Sequence, residues 1–217
     1  MVPQELRGIK RGDIMNIRDR YELLKKKVLK RKDEFAAFIA MFETETSWLT
    51  SPASTKYHLN KEGGLLEHSV GVTETMLKLR EILTPQISEE SCVIVGLLHD
   101  AGKIGMPGKP RYLKNDNEWE IRNRGITYKI NPKEVYMGLA ARSLYLIAKY
   151  IPLSDSEAQA ILYHDGQYVE SNREAAHHEM PLTLLAHFAD LWSAHIIEEG
   201  RPVKEDTDYY DKKTGAE

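Results

Sequence analysis

Apolar residues recur at steps of three and four over most of the chain, a spacing typical of helices that bury one face against a core. The predicted helices run over about 16–30, from an Asp33 N-cap to Phe42, over 65–83, from a Ser88 N-cap to His99, over 133–150, from Ser154 to about Tyr163, and over 181–198. The helix that ends at His99 is apolar on nearly all sides between Val93 and Leu98. We therefore expect that helix to lie at the centre of a bundle.

One stretch, residues 104–131, interrupts the helical pattern. Short aromatic and β-branched runs, including Trp119–Ile121 and Ile126–Ile130, alternate there with turn residues such as Asn115-Asp116-Asn117. This alternation predicts a small β-hairpin or three-stranded flap at about 108–131. The fold class is therefore predicted to be all-α, a compact helical bundle with one β insertion. We interpret the chain as a single domain over 1–217, with helices in 1–50, a core over 55–198 and a polar tail over 199–217.

Composition narrows the class of protein. The chain has 217 residues, of which 41% are hydrophobic and 29% are charged, and its net charge is −3. Its apolar runs are far shorter than the roughly 20 residues that a membrane span needs, and the first residues show no signal-peptide core, so we expect a cytoplasmic protein without a membrane partner. The single cysteine excludes a disulfide within the chain. The charge argues against a protein that coats nucleic acid, and the oligomeric state is left open.

Two metal-capable side chains, His99 and Asp100, end the central apolar helix and are followed by Gly102 and Lys103. Such a pair is either a cap-region carboxylate beside a hydrogen-bonded histidine, or part of a metal site where the helix frays. His68 lies on the apolar face of its helix, and Asp190 lies within the last packing helix. An ionised carboxylate is costly to bury without a partner or a metal, so these four side chains form a candidate ligand set.

This ligand set mixes imidazole nitrogens with carboxylate oxygens, which suits Fe, Mn, Co, Ni or Zn, with Mg as a further option, better than an oxygen-only calcium site. Four protein ligands leave two positions of an octahedral ion for water and substrate. Such an ion lowers the pKa of its water and screens phosphoryl charge, so phosphoester hydrolysis is the expected chemistry. Lys103 is placed to pair with a phosphate oxygen or with Asp100.

The ordered set His68, His99-Asp100 and Asp190 resembles the H…HD…D signature of the HD-domain metal-dependent phosphohydrolase superfamily. The segment GGLLEHS at 63–69 and the segment HDAGK at 99–103 carry the resemblance, which covers about residues 55–198. The first segment is similar to the HD domain of bacterial 3′-to-5′ exoribonucleases, in which that domain follows an OB-fold. Here two helices are predicted in place of an OB-fold.

The resemblance implies that His68, His99, Asp100 and Asp190 ligate one metal ion, and that Asp100 bridges to a second ion or orients the attacking water. Members with two metals have further histidines between the HD pair and the last Asp. His164 matches one of those positions and is followed by Asp165 where a second histidine often stands; the other position offers Glu134 or Tyr136. We favour one firmly held ion, with two possible, and with His164 and Glu134 as candidate ligands of the second.

The resulting hypothesis is a phosphohydrolase that uses metal-activated water on a phosphoester of a nucleotide or a short nucleic acid. Asp100, Lys103 and His164 are its candidate catalytic residues. The near-neutral charge favours a phosphorylated small molecule as substrate. The lysine-rich first helix and the sequence segment around His68 favour RNA or DNA. The alternative is a regulatory HD module that senses a nucleotide without turning it over. Structural or surface roles are expected for the remaining histidines, which are His58, His177, His178, His187 and His195.

Overall fold

The computed structural model describes residues 15–198, and most of them are helical. The α-helices are α1 (Ile17–Lys25), α2 (Lys32–Glu45), α3 (Gly64–Leu83), α4 (Glu89–Leu98), α5 (Glu118–Arg124), α6 (Leu139–Ile147), α7 (Asp155–Tyr163) and α8 (Pro181–Trp192). The short strands are β1 (Gly105–Met106), β2 (Lys109–Pro110), β3 (Tyr112–Lys114) and β4 (Tyr128–Ile130). The all-α prediction is confirmed. The predicted polar tail at 199–217 lies outside the described residues.

The apolar helix α4 lies at the centre of the fold, as its sequence predicts. Its residues from Cys92 to Leu98 are all buried, and α4 packs against α3, α7 and α8. One hydrophobic core joins these helices to α1 and α2 through residues such as Tyr21 and Phe38. The division of the whole chain into domains stays a prediction. Within the part of the chain that the structure describes, we find no helix with the length and hydropathy of a membrane span.

Side-chain capping explains several helix boundaries. The predicted N-cap Ser88 accepts the backbone N–H of Ser91, and Ser154 and Glu157 form a reciprocal capping box at the start of α7. The predicted N-cap Asp33 is wrong, because α2 begins one residue earlier, at Lys32, with Asp33 inside its first turn. The reason is tertiary: the Glu90 carboxylate on α4 accepts the N–H groups of Leu29 and Lys30 and holds the α1–α2 turn.

The β insertion differs from its prediction in the middle. Trp119–Ile121 is not a strand; it lies in helix α5, which Asn117 caps by accepting the N–H groups of Trp119 and Glu120. The strands form two antiparallel pairs, β1 with β2 and β3 with β4, and Tyr112 pairs with Ile130. The local Asn cap outweighs the β propensity of Trp and Ile, because capping satisfies backbone donors that a short isolated strand would leave open.

The predicted helix over 133–150 begins six residues late, at Leu139. The cause is the buried guanidinium of Arg142, which donates to the carbonyl oxygens of Val135 and Met137 and pairs with the Glu134 carboxylate. These contacts hold the backbone at Val135 and Met137 against the Arg142 side chain, outside the path of the helix. Residues 132–138 therefore form an irregular segment that wraps over the start of α6.

Candidate metal centre

Three helices bring the four candidate ligands together at one end of the bundle. His68 lies in the second turn of α3, His99 and Asp100 directly follow α4, and Asp190 lies near the end of α8. The Nε2 atom of His68 is 3.1 Å from Asp190 Oδ1 and 3.3 Å from His99 Nε2. Asp100 Oδ2 lies 3.5 Å from His68 Nε2 and 3.4 Å from His99 Nε2. All four predicted side chains therefore converge.

The other ring nitrogen of each histidine is held by an acceptor outside the cluster. Nδ1 of His99 donates to the Gly96 carbonyl at 2.8 Å, and Nδ1 of His68 donates to Glu198 Oε1 at 2.7 Å. His164 follows the same rule, because its Nδ1 donates to the Ile161 carbonyl at 2.9 Å. A proton on Nδ1 leaves the Nε2 lone pair as the free acceptor, so all three rings direct an acceptor at the cluster.

Such a concentration of acceptors calls for a positive charge among them. Burial lowers the pKa of His68, but hydrogen bonds to Asp190 and Glu198 outweigh burial and raise that pKa to about 10. Burial also raises the pKa of Asp100, but the neighbouring charges of Lys103 and His99 outweigh it and hold the pKa well below the usual range. The donor set therefore fits a divalent cation, which would bind in place of the proton on His68.

The turn after α4 fixes the direction of the Asp100 carboxylate. Lys103 Nζ lies 2.6 Å from Asp100 Oδ2, across one turn of 3₁₀-helix. Gly102 donates its N–H to Ser143 Oγ at 2.7 Å, and a Cβ at this position would lie 2.2 Å from the Leu139 carbonyl oxygen. Only glycine lets α6 pack this closely, so the segment HDAGK anchors the candidate ligands to the rest of the bundle.

The structure separates the two residues expected at a second ion. His164 joins the cluster, with its Nε2 atom 3.6 Å from Asp100 Oδ1 and 3.7 Å from Asp165 Oδ1. His164, Asp165 and Asp190 together form a further group whose ligand atoms lie within reach of one cation. Glu134 is held elsewhere, since its two carboxylate oxygens pair with Arg111 and Arg142. Glu134 is therefore not placed to ligate a second ion.

Sequence reasoning missed the contacts of Glu198. This residue follows Asp190 by eight positions, and a regular helix would direct position i+7, Ile197, to the same side. A wide π-helical turn at Ser193–Ile197 adds one residue to the turn and brings Glu198 to His68 instead. His58, for which a structural or surface role was expected, lies 3.8 Å from Glu198 through its Nε2 atom. A carboxylate near the end of the last helix was the only signal available.

The candidate centre opens into a cleft of about 490 Å³. His58, Lys103, Asp165 and Asp190 are among the side chains that line this cleft. Asp190 keeps 21% of its side chain exposed, whereas His68, His99 and Asp100 are buried. A ligand can therefore reach the cluster from the side of Asp190 and Lys103, and the other side is closed by the core.

We expect the Glu198→Gln variant to bind metal about 10- to 100-fold more weakly, because it loses the charged acceptor that orients His68. Titration of the metal-free protein with Mn²⁺ in a calorimeter measures this change. Glu118→Gln is the matched control, since Glu118 is exposed and pairs with Arg122 on the same helix. Equal affinities for the Glu198→Gln variant and the wild type would contradict the assigned contact.

Comparison with known proteins agrees with this geometry. The HD domain family profile matches residues 65–195, more than half of the chain, so the chain belongs to the HD-domain family. The chain is 33% identical to the dihydroneopterin 2′,3′-cyclic phosphate phosphodiesterase of Methanocaldococcus jannaschii over 38% of its own length and 35% of that relative. It thus spans about a third of the curated relative. No solved structure matches the chain significantly.

HD domains bind divalent metals, and the buried histidine and aspartate groups described above are of the kind that holds such an ion. These two findings point to the same end of the bundle, where the matched region supplies His68, His99, Asp100 and Asp190.

Proposed function

We propose that the chain is a metal-dependent phosphohydrolase whose ion is held by His68, His99, Asp100 and Asp190. The observation that carries this proposal is the convergence of two imidazole Nε2 atoms, 3.3 Å apart, that each lie within 4.0 Å of both carboxylates, with each ring held through its other nitrogen. One ion is favoured. A second would use His164 together with Asp165. When bound, the metal would acidify a water molecule and screen the charge of the phosphoryl group.

Three residues of the chain would orient the water, bind the phosphate and protonate the leaving oxygen. The Asp100 carboxylate, kept ionised beside Lys103, is positioned to accept a hydrogen bond from the attacking water and so to orient it. The Lys103 ammonium lines the cleft and would pair with a phosphate oxygen. Burial lowers the pKa of His164, but the hydrogen bond to Asp100 and the negative charges of the neighbouring carboxylates together outweigh burial and raise that pKa to about 9. A protonated His164 can therefore donate to the leaving oxygen.

The substrate that we propose is a phosphoester of a nucleotide or a short nucleic acid. The relative named above acts on a cyclic phosphodiester. The substrates to be tested should therefore include phosphodiesters as well as phosphomonoesters. The lysine-rich segment at the end of α1 and just after it favours nucleic acid less than the sequence suggested, because Lys25 and Lys27 form ion pairs with glutamates of the fold. A small phosphorylated molecule is therefore the first choice.

The test combines elemental analysis of the purified protein with a substrate panel in the presence of Mn²⁺, Co²⁺, Ni²⁺, Fe²⁺, Zn²⁺ or Mg²⁺. The panel contains a nucleoside monophosphate, a nucleoside 2′,3′-cyclic phosphate, a cyclic dinucleotide and an oligonucleotide. We expect a bound transition metal and turnover of at least one small phosphoester. Tight nucleotide binding without turnover under any metal would instead establish the sensing module, and the absence of metal and of turnover would overturn the proposal.

A further inference from the structure

A second cavity, of about 360 Å³, adjoins the cleft of the candidate metal centre. It lies between α8 and the segment over 163–179, and it shares Tyr168 and His187 with the cleft. Its volume falls in the range of pockets that bind small molecules. A ligand with its phosphate at Lys103 and Asp190 can therefore extend past Tyr168 and His187 into this second space.

The walls of the second cavity carry aromatic and aliphatic surface that solvent reaches. Tyr168 is 84% exposed and Phe188 is 50% exposed, although both are large side chains. Leu184, Phe188 and Leu191 follow one face of α8 at steps of four and three; the first two line the cavity and Leu191 lines the metal cleft. An exposed apolar strip between two cavities indicates a surface that a ligand covers.

The boundary between the two cavities is a fixed aromatic ring. His187 donates from Nδ1 to the His164 carbonyl at 2.8 Å, and its ring lies 6.4 Å from the Tyr168 ring and 5.8 Å from the Phe188 ring, centroid to centroid. Gly166, at φ +64°, lies beneath His187, and a Cβ there would come within 2.3 Å of the ring. Glycine thus lets the ring pack flat on the backbone, and the aromatic groups stay preorganised around the junction.

The charges of the two cavities differ in a way that orients the ligand. Lys103 lines the metal cleft, whereas the described residues around the second cavity include Glu179 and neither Lys nor Arg. A phosphate would be repelled by Glu179 and attracted by Lys103. Gln167 and Asn172 add amide groups to the wall, with Gln167 Nε2 bonded to Glu179 Oε1 at 3.2 Å and Asn172 Nδ2 to the Gly166 carbonyl at 3.0 Å. This wall suits an uncharged ring that presents N–H donors.

We propose that the second cavity is the subsite for a purine-sized flat heterocycle with N–H donors, carried by the phosphoester that the metal centre binds. The heterocycle stacks against Tyr168 and Phe188, and its N–H groups face Glu179 and Gln167. This inference rests on the proposed phosphohydrolase function, since it places the non-reacting end of the same substrate. The substrate class is then a nucleotide or a related heterocyclic phosphoester.

The test compares ligands that differ only in the heterocycle. Adenosine 5′-monophosphate, guanosine 5′-monophosphate and ribose 5-phosphate are titrated calorimetrically into the full-length protein loaded with Mn²⁺. We expect at least one nucleotide to bind about 10-fold or more tightly than ribose 5-phosphate, because stacking on an aromatic side chain contributes that much. Phe188→Ala and Tyr168→Ala should each remove most of this preference. Because Phe188 lines the second cavity and not the metal cleft, Phe188→Ala should also leave ribose 5-phosphate binding within about twofold of the wild type.

Trp119→Ala is the matched control, because Trp119 is an aromatic residue whose exposure lies between those of Phe188 and Tyr168. It stacks with Arg124 on α5 and lines neither cavity. This variant should leave the nucleotide preference intact, and circular dichroism checks that every variant is folded. Equal binding of nucleotides and ribose 5-phosphate, or an unchanged preference in both cavity variants, would overturn the subsite. Turnover without a heterocycle preference means that only the subsite fails, whereas a preference without metal or turnover means that the proposed hydrolysis fails.

Discussion

The Asp100→Asn variant is expected to lose about 10²- to 10³-fold in kcat and most of its bound metal, while it remains folded. Asp100 is the residue on which the cluster depends most, because its two oxygens face His68, His99, Lys103 and His164. Asparagine keeps the shape of the side chain but removes the charge. Removing one electrostatic contact that stabilises the transition state typically costs about 2.7–4 kcal/mol, which corresponds to that loss in rate.

Steady-state kinetics on the best substrate of the panel and elemental analysis measure the two effects of Asp100→Asn separately. Asp116→Asn is the control with the same chemical change. Asp116 is fully exposed in the β insertion, and its ion pair is with Lys129, which does not line the cleft. Circular dichroism and the thermal midpoint establish that the variant is folded. An Asp100→Asn protein with normal turnover and normal metal content would refute the assigned centre.

The Arg31→Met variant is expected to lower the free energy of unfolding by about 3–5 kcal/mol without altering the metal ligands. Arg31 joins α2 to α4 and α7: its guanidinium donates to Glu157 at 2.7 Å and 2.6 Å, and to Glu90 at 2.8 Å. Both carboxylates are buried, so methionine would leave them without their charge partner. Urea denaturation followed by circular dichroism measures the difference at neutral pH.

The loss caused by Arg31→Met should also depend on pH with a definite sign. Burial raises the pKa values of Glu90 and Glu157, but the hydrogen bonds and charge of Arg31, together with hydrogen bonds from backbone N–H groups, outweigh burial and lower both values in the folded protein. Groups with lowered folded pKa values contribute stability above the unfolded value of about 4.3, and this contribution is lost as the pH falls through the folded value. The difference between wild type and variant should therefore be larger at pH 7 than at pH 3.

Arg122→Met provides the comparison for the stability experiment. Arg122 pairs with Glu118 on the surface of α5, with both side chains about three-quarters exposed. An exposed pair of this kind contributes at most about 1 kcal/mol. A loss from Arg31→Met no greater than that from Arg122→Met would mean that the Arg31 network does not hold the N-terminal helices to the core.

Several features of the fold follow from local sequence alone. The uniform apolar character of α4 predicts its central position, and the capping residues Ser88 and Ser154 mark the true starts of their helices. The spacing of apolar residues along α3 also predicts that His68 faces the core, where the structure places it. These features depend on contacts within one or two helical turns, so the order of residues is sufficient to predict them.

Other features depend on groups far apart in the chain. Glu90 sets the boundary between α1 and α2. Arg142 delays the start of α6 and pairs with Glu134, which keeps Glu134 away from the candidate metal centre. No local sequence pattern predicts either contact. The β propensity of Trp119 and its neighbours likewise predicted a strand, whereas the Asn117 side-chain cap makes this segment the helix α5.

The sequence by itself determined the helical class and the candidate ligands His68, His99, Asp100 and Asp190, because helical periodicity is a local property and the ordered motif is carried by short segments around its residues. Only the tertiary structure decided how these ligands are supported and what lies beside them. The wide turn after α8 brings Glu198 to His68, and Gly166 lets His187 separate the metal cleft from the aromatic cavity. Both arrangements arise from packing between distant helices, which the pattern of a single helix does not encode.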